Sequence, residues 1–575
     1  MDSGLHHKHP GAGFSPLSSD RAAVLWGTLP VLAVLLATVP AIPFWLDAPE
    51  FIATAASWGQ AHPPGHPAMM PLFKGFLLLP LGTAAFRANL ASVAFGALSA
   101  AAVGVLALSI AGALVLDRRQ ARIVGAATTL GFGLCASSVL QSLSIEVYTA
   151  NAAAVLWAMA LAVRHPGDAR AAGVIGVLVG LGLANHHFLT ILALPAVVAF
   201  FANGQGRRAL VRTSAPGVAA AVVVAAGAYL YLPARAGGWP AWADASSLDG
   251  TLWIASARVF AASLGGFDSA GGGPAHNAGL ALGLLADTLT WPGLLLAGLG
   301  VGVVVASRRK WLAAAVVLWI LGGLASKVSM GLLDPDNPDD HGYFLTAIGG
   351  LVAMQGVGVS WIAQRTVGAI RPRLMVSILA LAIAAFPLPA GLATARDRSS
   401  FDESRRIVDL VFDGLPPNAV LLVSHYPVLF MTLHDQIVEG RRPDVTVVQQ
   451  SLYQKARGGA FYARRVAMMD PDLRPLIDRF LARGTLDWEA LRTLADRRPV
   501  RLEPALDLEV PLRDVADAGW TFAVRGHDDS DGPASAATGV SATALRQALP
   551  GWPHLQTETR RVVLRHLAAS AQWLH

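Results

Sequence analysis

Apolar segments long enough to cross a bilayer recur along the first two thirds of the chain. A hydrocarbon core requires roughly 20 apolar residues in one helix. We predict eleven spans, at residues 22–43, 84–116, 123–140, 148–163, 171–185, 188–202, 214–232, 279–306, 311–331, 343–363 and 374–395. The pattern therefore predicts an all-α polytopic membrane domain over residues 22–395, preceded by a tail of residues 1–21.

A polar break divides the apolar stretch 171–202. Asn185, His186 and His187 interrupt it, and one straight helix would place two imidazoles near the middle of the bilayer, where ionisable groups are costly. We therefore predict two short helices that meet at the outer surface. A further apolar segment, residues 68–81, is predicted to lie along the membrane interface.

The connections between the spans alternate in charge. One set is short and basic, and the positive-inside rule places it in the cytoplasm. Its members are Arg118, Arg119, Arg122, Arg164, Arg170, Arg207, Arg208, Arg212, Arg308, Arg309, Lys310, Arg365, Arg371 and Arg373. With the amino terminus inside, an odd number of spans places the carboxyl-terminal part outside the cell membrane.

The sequence changes character near residue 396. Short β-rich runs at 420–424 and 445–449 flank a helical pattern at 427–440, and the order strand, helix, strand predicts a parallel α/β unit. We therefore predict a soluble α/β extracytoplasmic domain over 396–526. Residues 527–575 are predicted to form a linker, rich in Asp, Ser, Gly and Ala up to 541, and a last helical segment.

Composition agrees with a membrane protein. Apolar residues make up 54% of the 575 residues and charged residues 14%, more apolar than a soluble surface tolerates. The net charge of +6 comes from clusters between spans, so we predict no nucleic-acid partner. The single cysteine, Cys135, lies in an apolar run, which excludes a disulfide framework and a thiolate metal site.

The first outer loop contains the clearest candidate chemistry. Asp47 and Glu50 are three residues apart and lead into a helix with Pro49 in its first turn, so both carboxylates can point to one side. Such a carboxylate can act as a general base on a hydroxyl. The structural alternative is that Asp47 caps the helix and Glu50 completes a capping box. His62 and His66, braced by prolines, either present imidazoles to a substrate or simply turn the chain.

Other ionisable and polar groups lie at the outer ends of the spans. They include Glu146, Tyr148, Asn185, His186, Arg87, Arg235, Arg258 and Lys327. Cations such as Arg87 and Arg235 are suited to holding the phosphate of a lipid-linked donor, since guanidinium groups match phosphate oxygens. The structural alternatives, snorkelling to water and pairing with neighbouring carboxylates, remain open at each position.

The acidic run 334–340 has enough oxygen atoms for a divalent cation. It lacks the twelve-residue pattern of a calcium loop, and we interpret it as a solvated turn with two prolines. We predict no metal site and no cofactor, and the sequence contains no phosphate-cradling glycine loop and no serine-nucleophile motif.

Several blocks together resemble a known family. Asp47-Ala-Pro-Glu50-Phe, His62-Pro-Pro-Gly-His66-Pro and Phe86-Arg87-Ala-Asn-Leu are similar to the amino-terminal signature of a group of bacterial membrane proteins long labelled as a domain of unknown function. That group is related to the transmembrane protein O-mannosyltransferases of animals. Further similarity covers Glu146-Val-Tyr148, Gly182-Leu-Ala-Asn185-His186, Tyr231-Leu-Pro-Ala-Arg235 and 439–445.

The resemblance implies a fold and an activity. The family belongs to the glycosyltransferase C superfamily, whose members take sugars from polyprenyl-phosphate carriers and use an acidic residue in the first outer loop as the base. By position, that role falls on Asp47, with Glu50 as second candidate. The chain departs from the family at Ala48-Pro49, where Ser-Gly is usual, at His66, where Tyr is usual, and at 424–426.

We therefore predict a glycosyltransferase of the bacterial inner membrane. It would transfer a sugar, with mannose as one candidate, from a polyprenyl-phosphate donor to a protein or glycan hydroxyl at the outer face. The donor- and acceptor-binding candidates are His62, His66, Arg87, Glu146, Tyr148, Asn185, His186 and Arg235. Two alternatives remain, an ion-coupled transporter and a non-enzymatic, membrane-anchored assembly module.

Overall fold

The structure of the protein is a computed structural model. It describes residues 18–114, 118–259, 273–331, 333–365, 372–449, 459–483, 487–504, 514–527, 549 and 556–574. Apart from its first residue, the predicted linker 527–541 lies outside the described residues, and so does the predicted tail up to residue 17.

Helices dominate the first 400 residues. The first group comprises α1 Ser18–Ala37, α2 Ala48–Ser57, α3 Met69–Leu77, α4 Ala84–Ala113, α5 Arg118–Gly133, α6 Ala136–Ser142, α7 Tyr148–Arg164, α8 Ala169–Ala202, α9 Arg207–Tyr229, α10 Tyr231–Ala234 and α11 Leu248–Ala255. The second group comprises α12 Gly273–Leu289, α13 Trp291–Ala306, α14 Lys310–Val328, α15 Pro338–Tyr343, α16 Leu345–Arg365, α17 Pro372–Ala385 and α18 Leu388–Ser399. Local signals explain several starts, such as Thr83, whose side chain accepts the Phe86 N–H at the head of α4.

Fewer helices qualify as membrane spans than the eleven predicted. Seven helices in the described parts of the chain are long and apolar enough to cross a bilayer, or up to nine if two bent pairs each form one span. The 17-residue helix α7 is shorter than all seven. The predicted pair 171–185 and 188–202 counts as one of the seven, because α8 includes both helices and the kink between them at His186. The chain is thus a multipass membrane protein with fewer countable spans than predicted.

The break predicted within 171–202 is confirmed at His186. Its backbone leaves helical geometry, with φ −132° and ψ 83°. A straight helix of this length would separate its ends by about 50 Å, yet the Gly167 N–H donates to the Phe201 carbonyl at 3.1 Å. The two halves of α8 therefore fold back on each other, and the polar triplet 185–187 lies at the turn.

The span predicted at 279–306 is not one continuous helix. The chain bends by 104° between α12 and α13, at Thr290, where φ is 65°. The Thr290 hydroxyl caps α13, and Pro292 lies in its first turn, so a new helix starts there. Hydropathy stays high across the bend, which explains why the apolar pattern does not reveal it. The predicted span 374–395 lies within one of the seven candidate spans, Leu374–Asp413, in which two residues separate α17 from α18.

A small sheet organises the carboxyl-terminal part. Its strands are β1 Val420–Val423, β2 Thr446–Gln449, β3 Val500–Leu502, β4 Val515–Ala518 and β5 Thr521–Val524, in the order β2-β1-β3-β5-β4. β1 pairs in parallel with β2 and β3, which confirms the predicted strand, helix, strand unit. The helices here are α19 Glu403–Asp413, α20 Tyr426–Ile437, α21 Gly459–Met469, α22 Arg474–Arg483, α23 Trp488–Ala495 and α24 Thr557–Leu574.

This part packs directly on the first loop, the residues 38–83 between α1 and α4. The Trp45 indole N–H donates to the Thr559 hydroxyl of α24 at 2.6 Å, and the Ser404 hydroxyl donates to the Pro43 carbonyl at 2.7 Å. The Tyr426 ring of α20 stacks on Trp242, with centroids 6.3 Å apart. The sheet domain therefore covers the segment that contains Asp47, while the predicted domain boundaries stay predictions.

Candidate active-site cavity

Asp47 stands at the start of α2 without capping it. It occupies the residue before the helix, but its side chain makes no capping hydrogen bond to the helix backbone. The capping alternative therefore does not describe this carboxylate. Its Oδ2 instead lies 3.5 Å from Nε2 of His62, and the residue is partly exposed toward a cavity.

Glu50, one turn further along α2, is fully engaged. Its Oε1 accepts the backbone N–H of His62 at 2.9 Å and the indole N–H of Trp242 at 2.7 Å. Its Oε2 lies 2.5 Å from Nδ1 of His62. Only 1% of the residue is exposed. Glu50 thus holds His62 and Trp242 in place, and it is not among the described residues that line the cavity.

His62 lies between the two carboxylates of α2. Burial favours the neutral imidazole, but Asp47 and Glu50 outweigh it and raise the pKa of His62 to about 9. Burial raises the pKa of Asp47, and the charge of His62 opposes that shift. At neutral pH the arrangement is therefore an imidazolium held between an engaged carboxylate and a carboxylate that faces the cavity.

His66 connects the first loop to the turn of α8. Its Nδ1–H donates to the Asn185 carbonyl at 2.7 Å, and Nε2 has no hydrogen-bond partner among the described residues. The residue has φ 42°, an unusual left-handed conformation. Asn185 in turn donates its side-chain amide to the Val147 carbonyl at 2.8 Å. These contacts bring the first loop, the turn of α8 and the start of α7 to one place.

A cavity of about 340 Å³ opens beside these residues. Five segments that are distant in the sequence contribute polar groups to its walls. The polar and aromatic lining residues are Asp47, His62, His66, Glu146, Tyr148, His186, His187, Phe188, Ser256, Lys327, Asn337, Asp339, Asp340 and Tyr343. The rings of Tyr148, His186 and Tyr343 lie 5.3–5.7 Å apart. Six of the ten candidate residues from the sequence, Asp47, His62, His66, Glu146, Tyr148 and His186, thus line one space.

The acidic run forms one wall of this cavity, and its interpretation as a solvated turn is wrong for its second half. Asp340 is 1% exposed. Its Oδ1 forms an ion pair with Lys327 Nζ at 2.7 Å, and its Oδ2 accepts the Asp334 backbone N–H at 2.7 Å. Asp336 stays 70% exposed. The prolines and the short helix α15 turn the chain inward after Asn337, which caps α15, so the last two carboxylates point into the protein.

Two further carboxyl groups in the cavity lack partners. Oε2 of Glu146 and Oδ1 of Asp339 have no hydrogen bond to any described residue. Burial raises the pKa of both groups well above the usual range, and the negative charge of Asp47 adds to both shifts. Burial thus favours the neutral form of both groups, and their unpartnered oxygen atoms are suited to hydrogen-bonding a polyhydroxylated ligand.

The two arginines selected from the sequence lie elsewhere. Arg87 donates to the carbonyls of Leu81 and Gly82 at 3.1 and 2.9 Å, and Arg235 donates to the Trp58 carbonyl at 2.9 Å. Among the described residues, neither lines the cavity. Both fix backbone turns around the first loop. The cation that the structure brings into the cavity is Lys327, in the last turn of α14.

Four residues that the structure brings to the site are absent from the candidates derived from the sequence. They are Lys327, Asp339, Asp340 and Trp242. A sequence signal exists for Lys327, Asp339 and Asp340: a basic residue in the last turn of a span is followed within 13 residues by two adjacent acids. An ion pair across such a connection stabilises buried charge. No local signal marks Trp242, which is 192 residues from Glu50 in the sequence.

Asp47, Glu50 and His62 also form the tightest group with metal-ligand atoms. One ligand atom of each lies within 4.8 Å of the others, and carboxylate and imidazole groups suit a divalent cation. The atoms of Glu50 already accept hydrogen bonds from His62 and Trp242. The geometry is that of a hydrogen-bonded cluster, and we assign no metal to it.

The whole fold is similar to that of a known membrane glycosyltransferase. ArnT from Cupriavidus metallidurans in the apo state aligns with a TM-score of 0.55 and 14% identity, over 90% of this chain and 100% of that one. The class is therefore a membrane protein with the glycosyltransferase C fold.

The first loop and the helices after it match a family model. Residues 47–208 match the family model described as the Protein O-mannosyl-transferase TMEM260 N-terminal domain. The mouse (Mus musculus) Protein O-mannosyl-transferase TMEM260 is 31% identical over 208 residues, which are 33% of this chain and 28% of that protein. The chain is thus a glycosyltransferase-like membrane protein related to O-mannosyltransferases, and the match spans less than a third of its curated relative.

Proposed function

We propose that this protein transfers a sugar from a polyprenyl-phosphate donor to a hydroxyl group of a protein or glycan, at the outer face of the bacterial inner membrane. The observation that supports this function best is the cavity itself. It places the Asp47 carboxylate and the Lys327 ammonium in the walls of one space of about 340 Å³, which suits one sugar ring with its attacking and leaving groups.

Asp47 is the proposed base. It takes the proton of the acceptor hydroxyl while the hydroxyl oxygen forms a bond to the anomeric carbon. The bond between that carbon and the phosphate oxygen breaks with inversion, and its electron pair stays on the lipid phosphate. Lys327, held by Asp340 at 2.7 Å, is the proposed cation that stabilises the charge gained by this phosphate.

Glu50 and His62 are proposed as positioning residues. Glu50 accepts two bonds from His62, and His62 faces Asp47 with its other nitrogen at 3.5 Å. An imidazolium there favours the ionised form of Asp47, which burial opposes. The second base candidate from the sequence thus acts through His62, and Asp47 alone faces the ligand.

Aromatic and polar groups complete the proposed sugar site. Tyr148, Tyr343 and His186 present rings on one side of the cavity, and Glu146 and Asp339 offer unpartnered oxygen atoms. Hydroxyl groups of a sugar can satisfy such buried polar atoms. We propose mannose as the first sugar to test and protein hydroxyls as the first acceptors, since the relative of 31% identity is a protein O-mannosyltransferase by name.

The experiment incubates the purified protein with radiolabelled polyprenyl-phosphate mannose and hydroxyl-bearing peptides or glycans. Wild type is compared with Asp47→Asn and with the control Asp249→Asn, an exposed carboxylate in the first turn of α11. We expect transfer by wild type and by the control, and a loss of at least a hundredfold for Asp47→Asn. Equal transfer by all three would contradict the proposed base.

The two alternative functions make different predictions in the same preparation. Solute transport in proteoliposomes without sugar transfer would support the transporter. Restoration of a membrane assembly in cells by Asp47→Asn as well as by wild type would support the non-enzymatic module. The clustering of Asp47, Glu146, Asp339 and Asp340 around one cavity favours the transferase.

A further inference from the structure

A second cavity, of about 410 Å³, lies at the opposite ends of the helices. It is enclosed by the ends of α4, α7 and α8 and by the beginnings of α1, α5 and α14. Its lining residues are Asp20, Leu108, Ser109, Gly112, Ala113, Ala121, Val163, Arg164, Pro166, Ala199, Phe200, Asn203, Arg309 and Leu312. Along α7, Arg164 is 16 residues from Tyr148, a rise of about 24 Å, so this cavity and the candidate active site are near opposite membrane surfaces.

Two guanidinium groups at this cavity form no ion pair with a described carboxylate, although Asp20 lies near enough to Arg164 to attract its charge. Arg164 and Arg309 form no ion pair with any residue that the structure describes. The one acid in the lining, Asp20, accepts from Nε of Arg122 at 2.8 Å, so its charge is already balanced. The mouth of the cavity therefore has an excess of positive charge.

Apart from Ser109 and Asn203, the remaining wall is apolar. Its large apolar residues are Leu108, Val163, Phe200 and Leu312. A cavity with a cationic mouth and an apolar wall matches a molecule with an anionic head and a hydrocarbon chain, and basic pockets between membrane helices on the cytoplasmic side are suited to anionic phospholipid headgroups. An inorganic anion could bind the arginines at the mouth but would make no favourable contact with the apolar wall.

We propose that this cavity binds an anionic phospholipid of the inner leaflet. Arg164 and Arg309 hold the phosphodiester, which a guanidinium group can contact through two N–H donors. One acyl chain lies along Leu108, Val163 and Leu312. The bound lipid joins α4, α7, α8 and α14 at the end of the bundle that is remote from the candidate active site. This site is independent of the proposed transferase function.

The experiment measures retained lipid by native mass spectrometry of the purified protein after exchange into equal amounts of phosphatidylglycerol and phosphatidylcholine. We expect wild type to retain phosphatidylglycerol preferentially. The double variant Arg164→Gln, Arg309→Gln should lose about thirtyfold of this preference, the combined effect expected of two surface arginines on an anionic lipid. The matched control, Arg207→Gln, Arg208→Gln, removes two arginines of another basic connection at the start of α9 and should keep it.

Three results would overturn the proposal. Equal losses in the double variant and its control would mean that general surface charge attracts the lipid. Equal retention of both lipids by wild type would mean an apolar crevice without headgroup recognition. Full displacement of phosphatidylglycerol by millimolar inorganic phosphate would mean a soluble-anion site. The tests of equal lipid retention and of displacement by phosphate need only the wild-type protein. If the double glutamine variant does not fold, the variant Arg164→Lys, Arg309→Lys, which keeps the charge, replaces it.

Discussion

Asp47 and Glu50 have the same chemistry and different surroundings. Asp47 faces the cavity, whereas both oxygens of Glu50 accept hydrogen bonds from His62 and Trp242. We expect Asp47→Asn to lower kcat for sugar transfer by 10²- to 10⁴-fold, since it removes the base. Glu50→Gln keeps the shape but weakens the bond to His62, and we expect a loss of about tenfold. Steady-state transfer kinetics measure both changes, and a larger loss for Glu50→Gln would reverse the two roles.

Because of His62, we expect the stability of the folded protein to fall as the pH becomes alkaline. Because its pKa in the folded protein is about 9, against about 6.5 in an unfolded chain, its contribution is complete below pH 6.5 and is lost as the pH rises through 9. The raised pKa values of Glu146 and Asp339 act in the same direction. We therefore expect the unfolding temperature to fall between pH 7 and pH 10, and to fall less in His62→Asn.

The difference between wild type and His62→Asn isolates the histidine. Thermal unfolding in one detergent at fixed ionic strength, from pH 6 to pH 10, gives both curves. Parallel curves over this range would show that the imidazole does not titrate near 9. A gap between the two curves that is widest at pH 6 and closes above pH 9 is the expected result.

At the scale of the helix, α13 and α16 approach closely through glycine. A methyl group on Gly300 would lie 1.9 Å from the Met354 carbonyl oxygen, whereas one on Gly302 would meet no atom within 4 Å. Small residues allow such backbone contact between membrane helices. We expect Gly300→Ala to destabilise the protein by about 1–3 kcal/mol and Gly302→Ala to be neutral or slightly stabilising, because alanine favours the helix.

Thermal unfolding of the two alanine variants in the same detergent measures this difference. Both substitutions add one methyl group to the same helix, two residues apart, so composition and hydropathy are matched. Equal unfolding temperatures would mean that α13 and α16 are not packed at Gly300 as the structure has them.

At the scale of the whole molecule, helix α24 contacts two segments of the candidate active site. The Thr559 hydroxyl of α24 accepts the indole N–H of Trp45, two residues before Asp47. Arg561 contacts Asp334 in the acidic run at 2.7 Å. One helix thus connects two segments that form the candidate active site, and the candidate catalytic loop is held from a position 514 residues away.

Removing this connection should affect both stability and transfer. Thr559→Val leaves the buried indole N–H of Trp45 without an acceptor, at a cost of about 1–3 kcal/mol, and we expect a lower unfolding temperature and a several-fold lower kcat. The control is Thr493→Val, since that exposed hydroxyl donates only to the Glu489 carbonyl of its own helix. Identical values for the two variants, in thermal unfolding and in transfer, would contradict a role for α24 in holding the loop.

Hydropathy and local motifs were sufficient to predict the features that depend only on residues close together in the sequence. They predicted the membrane class, the break at 185–187, the parallel unit at 420–449 and the first-loop signature. Each of these follows from a short stretch of chain, because transfer of apolar residues into a bilayer, the cost of buried imidazoles and strand pairing act on local sequence. Hydropathy did not predict the bend at Thr290, because the residues on both sides of it are apolar.

The sequence by itself determined that the chain crosses the membrane and that an acidic loop with two histidines follows the first span. Only the tertiary structure decided which carboxylate faces a cavity, which cation accompanies it and that the acidic run turns inward. Those outcomes depend on contacts such as Trp242 with Glu50 and Lys327 with Asp340. Desolvation and hydrogen bonding set the charge and direction of a buried side chain, and both come from residues that are distant in sequence.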